Sequence, residues 1–334
     1  MARRRNSPQS SSPSRLRESI AVRPSPSRTR DRAGVRPQAR KGKDAGRTGA
    51  RVPVAKTYKL YIDGKFPRSE SGRYYPLQRD DDLVIANVCR GSRKDFRDAV
   101  VAARNASGPW SQASAYLRGQ VLYRAAEMLE GRSRQFAAEL TLQGIARRRA
   151  EDEVTATIDR LVYYAGWADK YQQVFSAVNP VATSHFNFSV LEPMGVVAVV
   201  APDSSGLLGL VSNVAPAVVG GNTCVVLASQ SLPLSAISFA EVLHAADFPA
   251  GVINVLTGLK AELIEQFASH MDVNAVICGD ADAAAERKIE ELAADNIKRV
   301  VLRGGVDWNS AAAQSPYAIS DTQETKTTWH PIGS

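Results

Sequence analysis

The run Val196-Val197-Ala198-Val199-Val200 follows Glu192-Pro193-Met194-Gly195 and is apolar and mostly β-branched throughout. A strand with one wet face alternates polar and apolar residues; a continuous apolar run belongs to a strand buried on both faces of a sheet. The same character returns at 224–227, 252–256, 275–277 and 300–302. Between these runs, apolar residues recur at helical spacing over 207–219, 234–246, 260–269 and 282–295. Strand and helix alternating over short connections predict an α/β fold with a doubly wound parallel (Rossmann-like) sheet.

Upstream, Tyr58-Lys59-Leu60-Tyr61-Ile62 alternates as a strand does, and Asp63-Gly64 is a hairpin-turn pair. Helical periodicity predicts amphipathic helices over 93–106, 115–138 and 151–171, with Leu117, Val121, Leu122, Ala125, Met128 and Leu129 sharing one face of the second. A further alternating strand covers 186–190. These helices imply a packed domain and, alone, no chemistry. Tyr163, Tyr164 and Trp167 read as core and not as a ligand cage.

Charge is distributed unevenly. Residues 1–51 hold 15 Lys or Arg against Glu18, Asp31 and Asp44, a net +12, which leaves −4 of the total +8 for the remainder. The first 55 residues are Ser-, Arg-, Pro- and Gly-rich and nearly free of large apolar side chains, so a disordered basic tail is expected there. As a function, that tail reads as a solvated extension or sequence upstream of the natural start, as a weak binder of nucleic acid or another acidic surface, or as an organelle presequence. No apolar run approaches the roughly 18–20 residues that span a bilayer. Cys89, Cys224 and Cys278 stand in apolar surroundings and read as reduced structural thiols. With no export signal near Met1, the expected location is the cytoplasm. His185, His244, His270 and His330 are too scattered to predict a metal site or a shared catalytic role.

Read in order, Gly108-Pro109-Trp110-Ser111, the helix holding Arg118 and Leu122, Tyr163-Tyr164-Ala165-Gly166-Trp167-Ala168-Asp169-Lys170, Glu192-Pro193-Met194-Gly195-Val196-Val197, Gly221-Asn222-Thr223, the stretch from Phe248 to Gly258 and His270-Met271-Asp272-Val273 form one series. This series resembles the cofactor-binding half of the aldehyde dehydrogenase superfamily, over residues 58–305. Glu324-Thr325-Lys326-Thr327-Thr328-Trp329 resembles the family's C-terminal strand. The resemblance places that strand beside 185–190, in an arm used for oligomerisation. It therefore implies a tail (1–55), a cofactor-binding domain (56–305) and a short linker with an arm strand (306–334). The substrate domain that normally precedes that strand is missing.

The family attacks an aldehyde with Cys, passes hydride to NAD(P) and uses Glu as base. The resemblance implies that the nucleophile is absent, because none of the three Cys occupies its position. Leu302 stands at the base position, before Gly304-Gly305, and cannot take a proton. Pro202-Asp203-Ser204 matches the motif whose amide holds the oxyanion, leaving Ser204 with one hydrogen bond to offer. Leu227-Ala228-Ser229-Gln230 replaces the segment whose Lys and Glu grip the adenosine ribose. Gly279-Asp280 and Asp282 replace the turn that approaches the pyrophosphate, where their carboxylates serve as helix caps and oppose an anion. Pro202, Ser204, Ser229, Gln230, Gly258 and Gly279 are the remaining candidate cofactor contacts. No cofactor is expected to bind, NAD(P) being the one the resemblance offers.

Three functions compete. A non-catalytic pseudoenzyme subunit would pair through its arm with itself or with a full-length aldehyde dehydrogenase. An aldehyde:NAD(P) oxidoreductase would keep residual or partner-completed activity. A binding module would act through residues 1–55, the one part suited to nucleic acid. None involves a membrane.

Overall fold

The computed structural model describes residues 54–79 and 83–333. The expectation for residues 1–55 falls, but for residues 54 and 55, outside them. In chain order the elements are β1 (Thr57–Tyr58), β2 (Tyr74–Gln78), β3 (Val84–Cys89), α1 (Arg93–Gln112), α2 (Ala115–Gly131), α3 (Ser133–Leu142), α4 (Arg147–Ala165) and α5 (Tyr171–Phe175). They continue with β4 (Ala177–Asn179), β5 (His185–Pro193), β6 (Val196–Val200), α6 (Leu208–Val219), β7 (Thr223–Leu227), α7 (Leu234–Ala245) and β8 (Ile253–Leu256). The last are α8 (Lys260–Ser269), β9 (Ala275–Gly279), α9 (Ala283–Ala293), β10 (Arg299–Arg303), α10 (Tyr317–Ser320) and β11 (Gln323–Pro331).

The central sheet has five parallel strands in the order β10-β9-β6-β7-β8. Every residue of β6, β7, β8 and β9 is buried, Thr223 and Asn254 included, as strands this apolar require. Val197 and Val199 face one core with α6, α7, α2 and α4, while Val196, Ala198 and Val200 face another with α1, α8 and α9. The chain is thus wound on both faces of the sheet, the α/β class its sequence pattern predicts.

Some elements differ from that pattern. The helix expected over 115–138 is two helices, broken where Arg132 leaves helical geometry at φ −111° and ψ 9°. Its guanidinium reaches Glu241 of α7 at 2.6 Å, which turns α3 onto α7. Helix α1 runs past 106 and through Pro109, because Trp110 is buried and its indole donates to Val218 O at 2.9 Å. Tertiary packing there outweighs the hydrogen bond that proline removes. The third helix covers Arg147–Ala165 and not 151–171, giving way to turns from Gly166 before α5. The strand expected over 58–62 is largely irregular. Tyr61 pairs with Val255 beside β8, and Asp63 and Gly64, at φ 53° and 69°, turn the chain so that Ile62 meets Lys65. The β2–β3 hairpin went unpredicted, with Pro76 masking β2, an edge strand where proline is tolerated.

Strands β4, β5 and β11 form a separate three-stranded sheet, the arm. β11 pairs antiparallel with β5 from Gln323 opposite Pro193 to Pro331 opposite His185. Residues 304–316 connect β10 to α10, and this linker is packed down: Trp308 is 3% exposed. Arg160, buried on α4, donates to Trp308 O (3.0 Å), Ala313 O (2.9 Å) and Gln314 Oε1 (3.1 Å), and also to Ser212 Oγ of α6.

Lys298 is only 7% exposed, and its ammonium donates to His270 O at 2.8 Å. Burial, against the pull of Asp295, pushes this group from 10.5 down to about 8. The folded chain therefore holds the proton less tightly than the unfolded chain. Stability rises as pH climbs from about 8 towards 10.5, where the penalty on the charged form lapses. Relative to the parent, Lys298→Met should be most favourable at neutral pH and lose that advantage through this window. Paired denaturant melts across pH would read it; a constant difference would contradict it.

Among the described residues no helix is long and apolar enough to cross a membrane.

Candidate functional site

In an open parallel sheet, ligands bind outside the carboxyl ends of the strands, where the strand order reverses direction. Here β6 is followed outward by β7 on one side and has β9 on the other, so the crevice lies beyond Val200 and Gly279. Pro202, Asp203 and Ser204 leave β6 at this place, and Asp280 leaves β9. The Pro202 ring fills the space between them. A Cβ on Gly279 would stand 3.1 Å from Pro202 Cβ, and one on Gly209 only 2.3 Å from Pro202 Cγ. A side chain at Gly209 would overlap the proline ring, and at Gly279 the proline would have to give way by a few tenths of an ångström.

Carboxylates of this chain hold the hydrogen-bond donors around the crevice. Asp280, at φ 56°, accepts from Ser204 N (3.0 Å) and from Ser204 Oγ. Asp203 Oδ1 accepts from Ser229 Oγ (2.8 Å) and Gln230 N (2.7 Å), while Asp203 Oδ2 pairs with Lys260 Nζ at 2.8 Å. Burial alone would raise the Asp203 carboxyl, but the Lys260 contact and charge, with the donors of Ser229 and Gln230, hold it below its ordinary value. Gln230 Oε1 accepts from Lys260 N at 3.0 Å and so fixes the start of α8. Asp282, not Asp280, caps α9, accepting from Ala284 N (3.1 Å) and Ala285 N (2.8 Å).

Sequence reasoning missed Glu153. It projects from α4, is 8% exposed, and accepts through one oxygen from Ser205 Oγ (2.8 Å), Leu207 N (3.0 Å) and Leu208 N (3.1 Å). It thereby caps α6 from another helix. The available signal was a carboxylate beside Val154 on the inward face, one turn before the buried Thr157.

Of the residues singled out from sequence, Pro202, Ser204 and Gly279 meet at the mouth of the crevice, and Ser229 and Gln230 join them through Asp203. Gly258 lies apart: a Cβ there would meet Leu263 and the backbone of Gly91. Leu302 stands on β10 in register with Cys278 and packs into the core on the α8–α9 side. All three cysteines are buried. Burial pushes the Cys278 thiol up to about 11 and that of Cys224 higher still, so neither is a thiolate near neutrality. No group of three His, Cys, Asp or Glu among the described residues could hold a metal ion.

Comparison with known proteins agrees with this geometry. Residues 67–311 match the model of the aldehyde dehydrogenase family. A hydroxyisobutyraldehyde dehydrogenase of Mycolicibacterium austroafricanum is 34% identical over 249 residues, 74% of this chain and 48% of that protein. Aldehyde dehydrogenase family 2 member B4 of Arabidopsis thaliana, a mitochondrial protein, is 35% identical over 76% of this chain and 47% of its own length. The NAD+ complex of an aldehyde dehydrogenase from Bacillus cereus superposes with a TM-score of 0.71 at 28% identity, over 75% of this chain and 51% of that one. This chain thus spans about half the length of the relatives it matches. It belongs to the aldehyde dehydrogenase family.

Proposed function

We propose that this chain is a non-catalytic subunit of the family, one that associates through its β arm with a second copy or with a full-length aldehyde dehydrogenase. The observation that carries the reading is β11. From Glu324 to Pro331 every residue of this edge strand is exposed, although the strand is fully paired to β5 on its inner side. A long exposed edge is a template for another chain and is retained at risk of aggregation unless something covers it. On the neighbouring β5 and β4, Phe186 and Val178 are also exposed, which widens the surface on offer.

The chemical side points the same way. Leu302 offers no base, and Cys224 and Cys278 offer no thiolate. Relatives include a protein solved with NAD+, but the crevice of this chain fits that group poorly. Ser204, Gln230 and Lys260, which face the space, are engaged by Asp280, Asp203 and one another. The reading needs no step through a cofactor.

Light scattering on the full chain tests it. The expected mass is a multiple of 36.0 kDa, or a mixed assembly once a full-length aldehyde dehydrogenase is added. A species that stays monomeric both alone and in that mixture would sink the proposal.

A further inference from the structure

We infer that Asp280 is a built-in anion that latches the crevice, standing where a dinucleotide's pyrophosphate would otherwise be received. Backbone N–H groups at loop ends and helix starts are what such a phosphate needs. In this chain several such sets are matched to an internal carboxylate. Leu207 N and Leu208 N go to Glu153, Gln230 N to Asp203, and Ala284 N and Ala285 N to Asp282. These contacts cap helices or tie β6's loop to β7's. Asp280 does something different: it reaches from the end of β9 to the loop after β6 and takes both donors of Ser204. Among the described residues this is the side-chain bond that crosses the switch point itself.

The backbone shows that this placement is imposed. Asp280 is held at φ 56°, in the left-handed region that non-glycine residues seldom occupy, though Asp tolerates it better than most. Gly279 before it lets Pro202 pack flush against β9, which narrows the gap that the carboxylate bridges. The rim cation Lys260 is paired with Asp203 at 2.8 Å and is not free to offset an incoming phosphate. A pyrophosphate would therefore have to displace the Asp280 carboxylate from the Ser204 donors, and like charges exclude each other. The latch assigns to Asp280 the part of the poor fit that its removal should reverse.

The test uses the full chain and titrates NAD, NADP and ADP-ribose by calorimetry into the parent and two variants. Asp280→Asn keeps the size, an acceptor for Ser204 and the tolerance of positive φ, so its fold should be retained; Asp280→Ser removes the bridge altogether. Both should bind at least one of the three probes about tenfold tighter than the parent or more, and a rise in melting temperature with that probe should accompany the binding. A parent that binds as tightly as Asp280→Asn would overturn the latch. So would two folded variants that still give no heat, because the closure would then lie elsewhere. The Asp280 side chain bonds Ser204 and not the exposed edge of β11, so the mass of Asp280→Asn should match the parent's whatever the titration shows. That keeps the latch and the association through β11 separately refutable.

Discussion

Arg160→Ala should lower stability by about 3–5 kcal/mol, the range for removing one member of a buried, hydrogen-bonded charged cluster. For a domain of this size that is a fall in melting temperature on the order of 10 °C. The reason is specific. Arg160 is 3% exposed and satisfies Trp308 O, Ala313 O, Gln314 Oε1 and Ser212 Oγ at once. Burial lowers its guanidinium's proton affinity, with the Tyr164 and Tyr163 rings opposing the shift. Among the described residues no carboxylate bonds to it; carbonyls and a hydroxyl meet its donors. Alanine would leave buried acceptors unmet and release the 304–316 linker from α4. Arg160→Lys should fall between, since one ammonium cannot reproduce a planar fork that meets four acceptors. Thermal melts give the first readout, and limited proteolysis of the linker the second. If the linker of Arg160→Ala resists protease as the parent's does, Arg160 is not what holds it down.

Glu153→Ala should cost about 3 kcal/mol, because one carboxylate oxygen serves three donors inside the protein. The next amide of α6, Gly209 N, is met by Ser205 Oγ (2.9 Å), which Glu153 holds in place, and Leu207 at the cap position offers no side-chain acceptor. Glu153→Gln retains a carbonyl oxygen for the same donors and should cost roughly 1 kcal/mol, the difference between a charged and a neutral acceptor. Hydrogen exchange distinguishes a local cap from general loosening. In Glu153→Ala, exchange at Leu207 and Leu208 should quicken far more than in β6. Equal acceleration in both would mean that Glu153 supports the core and not the helix start.

The parts legible from sequence were those fixed by local pattern. Strand β6 begins and ends where the apolar run does, and α8 matches its periodicity residue for residue. The pairing of β11 with β5 came from resemblance and not from periodicity, since the polar Thr-rich stretch of β11 has no buried face to advertise it. What stayed hidden was charged and long-range. Glu153 finds Ser205 across 52 residues, and Arg160 finds Trp308 across 148. Nothing near either residue in the chain signals its partner. Gln230 illustrates a subtler limit: its side chain could bond a ribose hydroxyl, but the fold turns it to Lys260 N instead. Similarly, Asp280 and Asp282 read alike as caps, and only the turn after β9 separates the cap from the latch.

The arm also sets an order of events for the growing chain. Ser189 and Thr327 meet across 138 residues at 2.8 Å, so β5 leaves the ribosome long before β11 exists. At about 5–20 residues per second, the interval is roughly 7–28 s. The Rossmann-like core can close during that time, but β5 must wait with one edge unoccupied. Loop-closure entropy changes only by about 0.6 kcal/mol per doubling of length, so a shorter connection helps the final pairing little. What it shortens is the wait, and with it the time during which a nascent neighbour could seize the same edge.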